Sequence, residues 1–161
     1  MTSTHYPLAA ALGEALKRHG LRVVTAESCT GGLVAGAITD VPGSSGWFER
    51  GFVTYTNEAK VELLGVLSAT LDAYGAVSEA TALEMAWGAV RASHADIAVA
   101  VTGIAGPDGG TAEKPVGMVC FAWARKEGPV EAITRLFDGD REAIRSASVD
   151  AALQGLLDRL N

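Results

Sequence analysis

The run Thr25-Ala26-Glu27-Ser28-Cys29-Thr30-Gly31-Gly32 constrains this chain most. It follows the apolar stretch 21–24 and leads into helical spacing over 33–39. An apolar strand passes directly into a carboxylate, a hydroxyl, a thiol, a second hydroxyl and two glycines. Gly31 and Gly32 allow a sharp turn and leave space for a ligand. The start of the next helix offers N–H groups without intrahelical partners, which suit an anion or an oxyanion. Ser28, held at this strand-to-helix turn, is a candidate nucleophile, although the GxSxG pattern of the hydrolase elbow is absent. A tight turn capped by Thr30 is the plain alternative.

Composition narrows the classes that such a turn can serve. At 161 residues the chain has the length of one domain spanning 1–161 and can bury a sizeable core. With 48% hydrophobic and 20% charged residues it should fold. A formal net charge of −6 and the lack of a Lys/Arg stripe argue against nucleic acid as a partner. No apolar run reaches the ~18 residues of a membrane span, and residues 1–9 lack a signal-peptide pattern. Cys29 and Cys120 make neither a disulfide framework nor a metal cluster. A cytoplasmic enzyme or binding domain that needs no membrane fits best.

Strand and helix signals alternate along the chain. Helical spacing over 8–18 stops at Gly20, and 21–26 reads as a buried strand. A turn-rich link over 40–46 precedes a strand at 51–55. Asn57 is expected to cap a short helix through Leu64, ended by Gly65. Ser68 and Ser78 are expected to cap helices ending near Gly75 and His94. Residues 97–101 read as a buried strand before a long loop at 103–117, and 116–124 and 130–137 read as a pair across a turn. Asp140 caps a final helix through Leu160. The pattern predicts a three-layer α/β/α sandwich around a mixed, mainly parallel sheet.

Three more segments carry chemistry. In Tyr55-Thr56-Asn57-Glu58-Ala59-Lys60, the lysine falls in the first helical turn, where the macrodipole disfavours an ammonium. Burial would lower its pKa further, toward a usable general base. Tyr55 could relay a proton; an exposed lysine and a core tyrosine are the alternative. The loop from Thr102 and Gly103 through Ala105 and Gly106 to Gly110 suits close approach to a ligand and could form an anion-binding nest, without being a P-loop. Lys114 and Pro115 would close that loop onto the sheet. Finally, Arg141 and Arg145 lie one turn apart on a helix face, able to grip a phosphate or carboxylate, or to pair with Asp138, Asp140 or Glu142.

His5, His19 and His94 are remote in sequence from every glycine-rich loop, so a Ser–His–Asp triad lacks its histidine. Ligands at zinc spacing are also missing. If Ser28 is the nucleophile, Lys60 is better placed by sequence as its base than Lys17, Lys114 or Lys126. Cys29 is the rival nucleophile, since a thiol needs less activation.

Taken together, segments 25–32, 42–45, 51–60, 75–79, 102–110, 114–117 and 139–141 resemble the CinA C-terminal domain family, in the family's order and over nearly the whole chain. The likeness is to its stand-alone form. It implies a metal-free and cofactor-free Ser/Lys amidase that hydrolyses nicotinamide mononucleotide (NMN) to nicotinic acid mononucleotide and ammonia. By position, Ser28 is the serine of the family's AESCTGG motif, and Tyr55 and Lys60 belong to VTYxNEAK. Thr102 and Gly103 open TGIAGP, and Arg141 is the arginine of GDR. Thr56 stands where serine is more usual, with the hydroxyl kept. On this reading Lys60 takes the Ser28 proton, and backbone N–H groups after Ser28 or from residues 103–106 hold the oxyanion. Thr30, Gly31, Gly32 and Ala105 line the substrate. The 5′-phosphate lies against Arg141 and the turn of Ser44 and Ser45. A homo-oligomer is expected from helices on both sheet faces. A non-catalytic nucleotide-binding module is the competing function; a DNA-associated role fits the acidic composition poorly.

Overall fold

The computed structural model describes residues 3–160; Met1, Thr2 and Asn161 lie outside the described residues. Five strands form one sheet in the order β2-β1-β3-β4-β5. They are β1 (Val23–Glu27), β2 (Phe48–Val53), β3 (Ile97–Gly103), β4 (Met118–Arg125) and β5 (Val130–Leu136). β1 runs parallel to both β2 and β3, whereas β4 is antiparallel to β3 and to β5. The sheet is therefore mixed, with every strand but β4 pointing the same way.

Side-chain alternation along the inner strands explains the two helical layers. Ile97, Val99, Val101, Val119, Phe121 and Trp123 face one side, where α1 (Tyr6–His19), α2 (Leu33–Thr39) and α6 (Arg141–Asp158) cover them. Ala98, Ala100, Cys120, Ala122 and Ala124 face the other, against α5 (Glu79–Arg91) and Leu64 of α3 (Asn57–Leu64). The small residues on that second face let α5 lie close to the sheet. A short α4 (Ser68–Tyr74) joins α3 to α5.

Helix ends mostly follow the local chemistry. Gly20 and Gly65 end α1 and α3 at φ +66 and +69, where glycine is least strained. Ser78 and Asp140 cap α5 and α6 by accepting from the N–H groups of Thr81 and Ala143. Two expected caps are corrected. The cap of α3 is Thr56, whose extended backbone lets Oγ1 accept from Ala59 N–H, so Asn57 is the first helical residue. Ser68 likewise opens α4 instead of capping it, because Leu67 occupies the cap position. The strand expected at 51–55 begins and ends earlier, at Phe48 and Val53.

The β1–β2 connection passes through α2 on one face and the β2–β3 connection through α3, α4 and α5 on the other. β1 and β3 are neighbours, so the crevice beyond their carboxyl ends is a topological switch point, where open α/β sheets bind ligands.

Candidate active site

The loops that leave β1 and β3 at this crevice are those with the unusual sequences. Ser28 follows β1 directly; its N–H donates to the Val101 carbonyl at 2.9 Å, and its own carbonyl accepts from Gly31 N–H at 3.0 Å. This closes a four-residue turn, with Gly31 at φ +55 and Gly32 at φ +106. Ser28 is 8% exposed, enough to be reached from one direction.

Lys60 comes from α3 on the opposite side of the turn from α2, and is only 1% exposed. Its Nζ lies 3.0 Å from Ser28 Oγ and 2.8 Å from the Thr54 carbonyl, with the Tyr55 carbonyl at 3.5 Å. Burial pulls the amine below the usual lysine range, and the neighbouring Cys29 opposes that shift weakly. The lysine stands four residues past the Thr56 cap. Desolvation, not the helix end, is thus the dominant cause.

Cys29 is 6% exposed and its thiol is pushed up to about 11, first by burial and further by the Glu27 carboxylate. A neutral buried thiol is a poor nucleophile, which separates the two rivals in favour of Ser28.

The helix start does not offer what the sequence suggested. Glu27, 1% exposed, accepts from the N–H groups of Val34 at 2.9 Å and Ala35 at 3.0 Å, and from Thr30 Oγ1 at 2.6 Å. The first-turn donors of α2 are therefore engaged internally, and the fully buried Thr30 directs its hydroxyl at Glu27. Thr30, Gly31 and Gly32 remain beside Ser28 as backbone. Glu27 is the site residue that sequence reasoning passed over. An acid directly before a glycine turn and a helix start was the available signal.

Tyr55 is 58% exposed, and only its carbonyl approaches Lys60. Its hydroxyl is 3.1 Å from Arg141 Nη2, while Arg141 Nη1 donates to the Gly106 carbonyl at 2.8 Å. Arg145 donates to the carbonyls of Cys29 and Thr30 at 3.1 and 3.3 Å. Neither arginine pairs with Asp138, Asp140 or Glu142; both instead tie the start of α6 to the loops around Ser28. Their positive charges carry no carboxylate among the described residues.

In the β3 loop, Thr102 Oγ1 donates to the Ala76 carbonyl at 2.8 Å. Gly103 faces β4 so closely that a Cβ would lie 2.7 Å from Val119 Cγ2. Ala105 and Gly106 are buried, and Lys114 donates through Nζ to the Tyr74 carbonyl, holding the loop to α4. Ser44 and Ser45 are not brought to this site. Their 3-10 turn (Ser44–Gly46) runs into Trp47, whose carbonyl accepts from Val23 N–H at the amino end of β1. Ser28 lies beyond the other end, roughly 16 Å away at ~3.3 Å per strand residue.

A serine in contact with a buried lysine at the switch point of an α/β/α sandwich defines the class of molecule by site and fold. The chain belongs to the CinA C-terminal domain family, which it matches over residues 5–160. Nicotinamide-nucleotide amidohydrolase PncC of Escherichia coli K12 is 58% identical over 147 residues, spanning 90% of this chain and 88% of the relative. The PncC of Pseudomonas putida is 55% identical over 150 residues, 93% of each chain. The crystal structure of the competence/damage inducible protein CihA from Agrobacterium tumefaciens superposes with a TM-score of 0.94 at 51% identity, covering 98% of this chain and 96% of that one. With relatives of this kind the chain is an enzyme of the family. No helix among the described residues is long and apolar enough to cross a membrane.

Proposed function

We propose that this enzyme hydrolyses the carboxamide of NMN to nicotinic acid mononucleotide and ammonia, through a Ser28–Lys60 pair, as a step of pyridine-nucleotide recycling in the cytoplasm. The observation that carries the reading is the 3.0 Å contact between Ser28 Oγ and a lysine whose pKa burial depresses. A neutral amine has two N–H donors and one lone pair. The carbonyls of Thr54 and Tyr55 accept the two donors, which leaves the lone pair for the Ser28 hydroxyl proton.

Lys60 takes that proton as Ser28 Oγ bonds to the carboxamide carbon. The charge then building on the carbonyl oxygen needs N–H donors. Those of Thr30, Ala105 and Gly106 have no acceptor among the described residues and are the candidates. Each such donor is typically worth ~3–4 kcal/mol. Protonated Lys60 returns its proton to the nitrogen, the C–N bond breaks and ammonia departs. Water, deprotonated by Lys60, then attacks the acyl-serine; Ser28 recovers a proton and the carboxylate product leaves. Tyr55 would help to orient the lysine through its backbone carbonyl. Arg141, free of a carboxylate partner and beside the exposed Tyr55 ring, is the group offered to the 5′-phosphate. A homo-oligomer acting without nucleic acid belongs to the same reading, and the net charge of −6 supports the latter part.

Ammonia release from NMN, measured with chelator-treated protein beside Ser28→Ala, tests the proposal. Release that survives chelation and disappears in the variant is expected. A rise in melting temperature with NMN but no ammonia would turn the reading into that of a binding module.

A further inference from the structure

Glu27 and Lys60 are the two buried charged residues among those described, and they flank Ser28 from opposite faces of the sheet. They make no contact with each other. Lys60 is taken up in the proposed chemistry; Glu27 is not, yet a buried carboxylate is costly unless donors satisfy it. Three donors do so here: Thr30 Oγ1 and Val34 N–H on Oε1, and Ala35 N–H on Oε2. Gly32, at the cap position of α2, has no side chain to accept from the helix. Glu27 reaches across from the strand end and supplies the cap from five residues before it.

One group therefore ties together the end of β1, the middle of the turn and the start of α2. Ser28 adjoins it in sequence. Besides the turn's own bonds from Gly31 N–H to the Ser28 carbonyl and from Leu33 N–H to the Thr30 carbonyl, Val101 holds Ser28 N–H and Arg145 holds the carbonyls of Cys29 and Thr30. We propose that Glu27 is a positioning residue whose carboxylate fixes the 28–32 turn, so that Ser28 Oγ stays within hydrogen-bond reach of Lys60 and the Thr30 N–H stays free for the reacting carbonyl. This rests on Ser28 being the nucleophile. The charge, and not only the shape, matters. Donors occupy both oxygens, so an amide at this position must turn its NH2 against a backbone N–H or the Thr30 hydroxyl.

The test compares Glu27→Gln and Thr30→Val with wild type and Ser28→Ala, in steady-state ammonia release from NMN across pH. Glu27→Gln is expected to lower kcat at least tenfold and leave KM within threefold. The acid limb of its pH profile should stay where wild type has it, because Glu27 acts on geometry and not on the Lys60 proton. Thr30→Val, which removes one donor and keeps the charge, should give the same signature at smaller amplitude. An inactive wild type, or an active Ser28→Ala, would remove the Ser/Lys reading and this inference with it. A dead Ser28→Ala beside a Glu27→Gln that keeps kcat within twofold overturns the positioning role alone, as does a displaced acid limb. If Glu27→Gln does not fold, an unchanged kcat in Thr30→Val overturns the proposal and a lowered one supports it.

Discussion

Lys60 Nζ is held 2.8 Å from the Thr54 carbonyl, so a backbone dipole and not a carboxylate fixes the amine. A carbonyl accepts a hydrogen bond from either protonation state, whereas a carboxylate would hold the proton on. With burial as the leading influence, the amine loses its proton below the usual value of 10.5. The rate should therefore rise with pH along an acid limb set by Lys60. Lys60→Met and Lys60→Arg should both lose at least 10³-fold in kcat, in line with removal of a general base; arginine keeps charge and length but stays protonated. A pH profile from pH 5 to 10 on wild type checks the limb, and activity retained in Lys60→Arg would count against the scheme.

The same shift has a consequence for stability. A base whose folded pKa is lowered binds more protons unfolded than folded between the two values, so stability rises with pH across that window. The window runs from the depressed folded pKa of Lys60 up to its ordinary value of 10.5. Below it, the native state bears the full cost of a buried ammonium. Melting curves of wild type and Lys60→Met at several pH values should converge or cross as pH rises, with the variant relatively more stable at the acid end. Parallel curves would mean that the lysine is not destabilised by burial.

Cys29 adjoins the nucleophile without sharing its exposure. With its thiol raised to about 11, roughly one molecule in a thousand carries thiolate at pH 8. Iodoacetamide at pH 8 is therefore expected to leave ammonia release intact over an hour, and Cys29→Ala to keep kcat within about threefold. Rapid inactivation by the reagent, protected by substrate, would reinstate the thiol as the reacting group.

Much of this site was legible, and what was not has identifiable causes. Helix α2 over Leu33–Thr39, the caps at Ser78 and Asp140 and the antiparallel β4–β5 pair follow from local signals that tertiary packing left in force. The Ser28–Lys60 contact joins residues 32 apart, and no local pattern encodes it; the lack of a suitably placed histidine and the family likeness both pointed to it. Glu27 escaped because β1 is buried on both faces, so its sequence shows no polar–apolar alternation to reveal that Glu27 faces α2. Ser44 and Ser45 were assigned to the wrong end for a topological reason. A parallel crossover returns the chain to the amino end of the sheet before β2 starts, away from the crevice. Arg141 and Arg145 share a helix face as spaced, but their acceptors are carbonyls brought in from the β1 and β3 loops.

Arg141 links Tyr55 and Gly106 while keeping its charge unpaired, so its removal should affect a phosphorylated substrate first. Arg141→Met is expected to raise KM for NMN by at least tenfold, equivalent to ~1.4 kcal/mol. Turnover of nicotinamide riboside, which lacks the phosphate, should change less than threefold. Equal losses on both substrates would assign Arg141 to holding the loops together and not to the phosphate.

Two glycines in helices make opposite predictions about stability, and the first of them tests how tightly the α3–α5 layer is built. A Cβ on Gly88 in α5 would lie 1.9 Å from the Leu64 carbonyl oxygen, a backbone atom at the end of α3 that cannot rotate aside. Gly36 in α2 is exposed and would meet nothing within 4 Å. Gly88→Ala must push α5 away from α3, at a cost of about 1–3 kcal/mol or more for overpacking. Because α3 carries Lys60, the same displacement should lower kcat as well as Tm. Gly36→Ala should instead stabilise the fold by ~0.5–1 kcal/mol, since alanine restricts the unfolded chain and suits a helix interior. Urea denaturation of the two variants checks both signs at once, and a neutral Gly88→Ala would show that the two helices have room to separate.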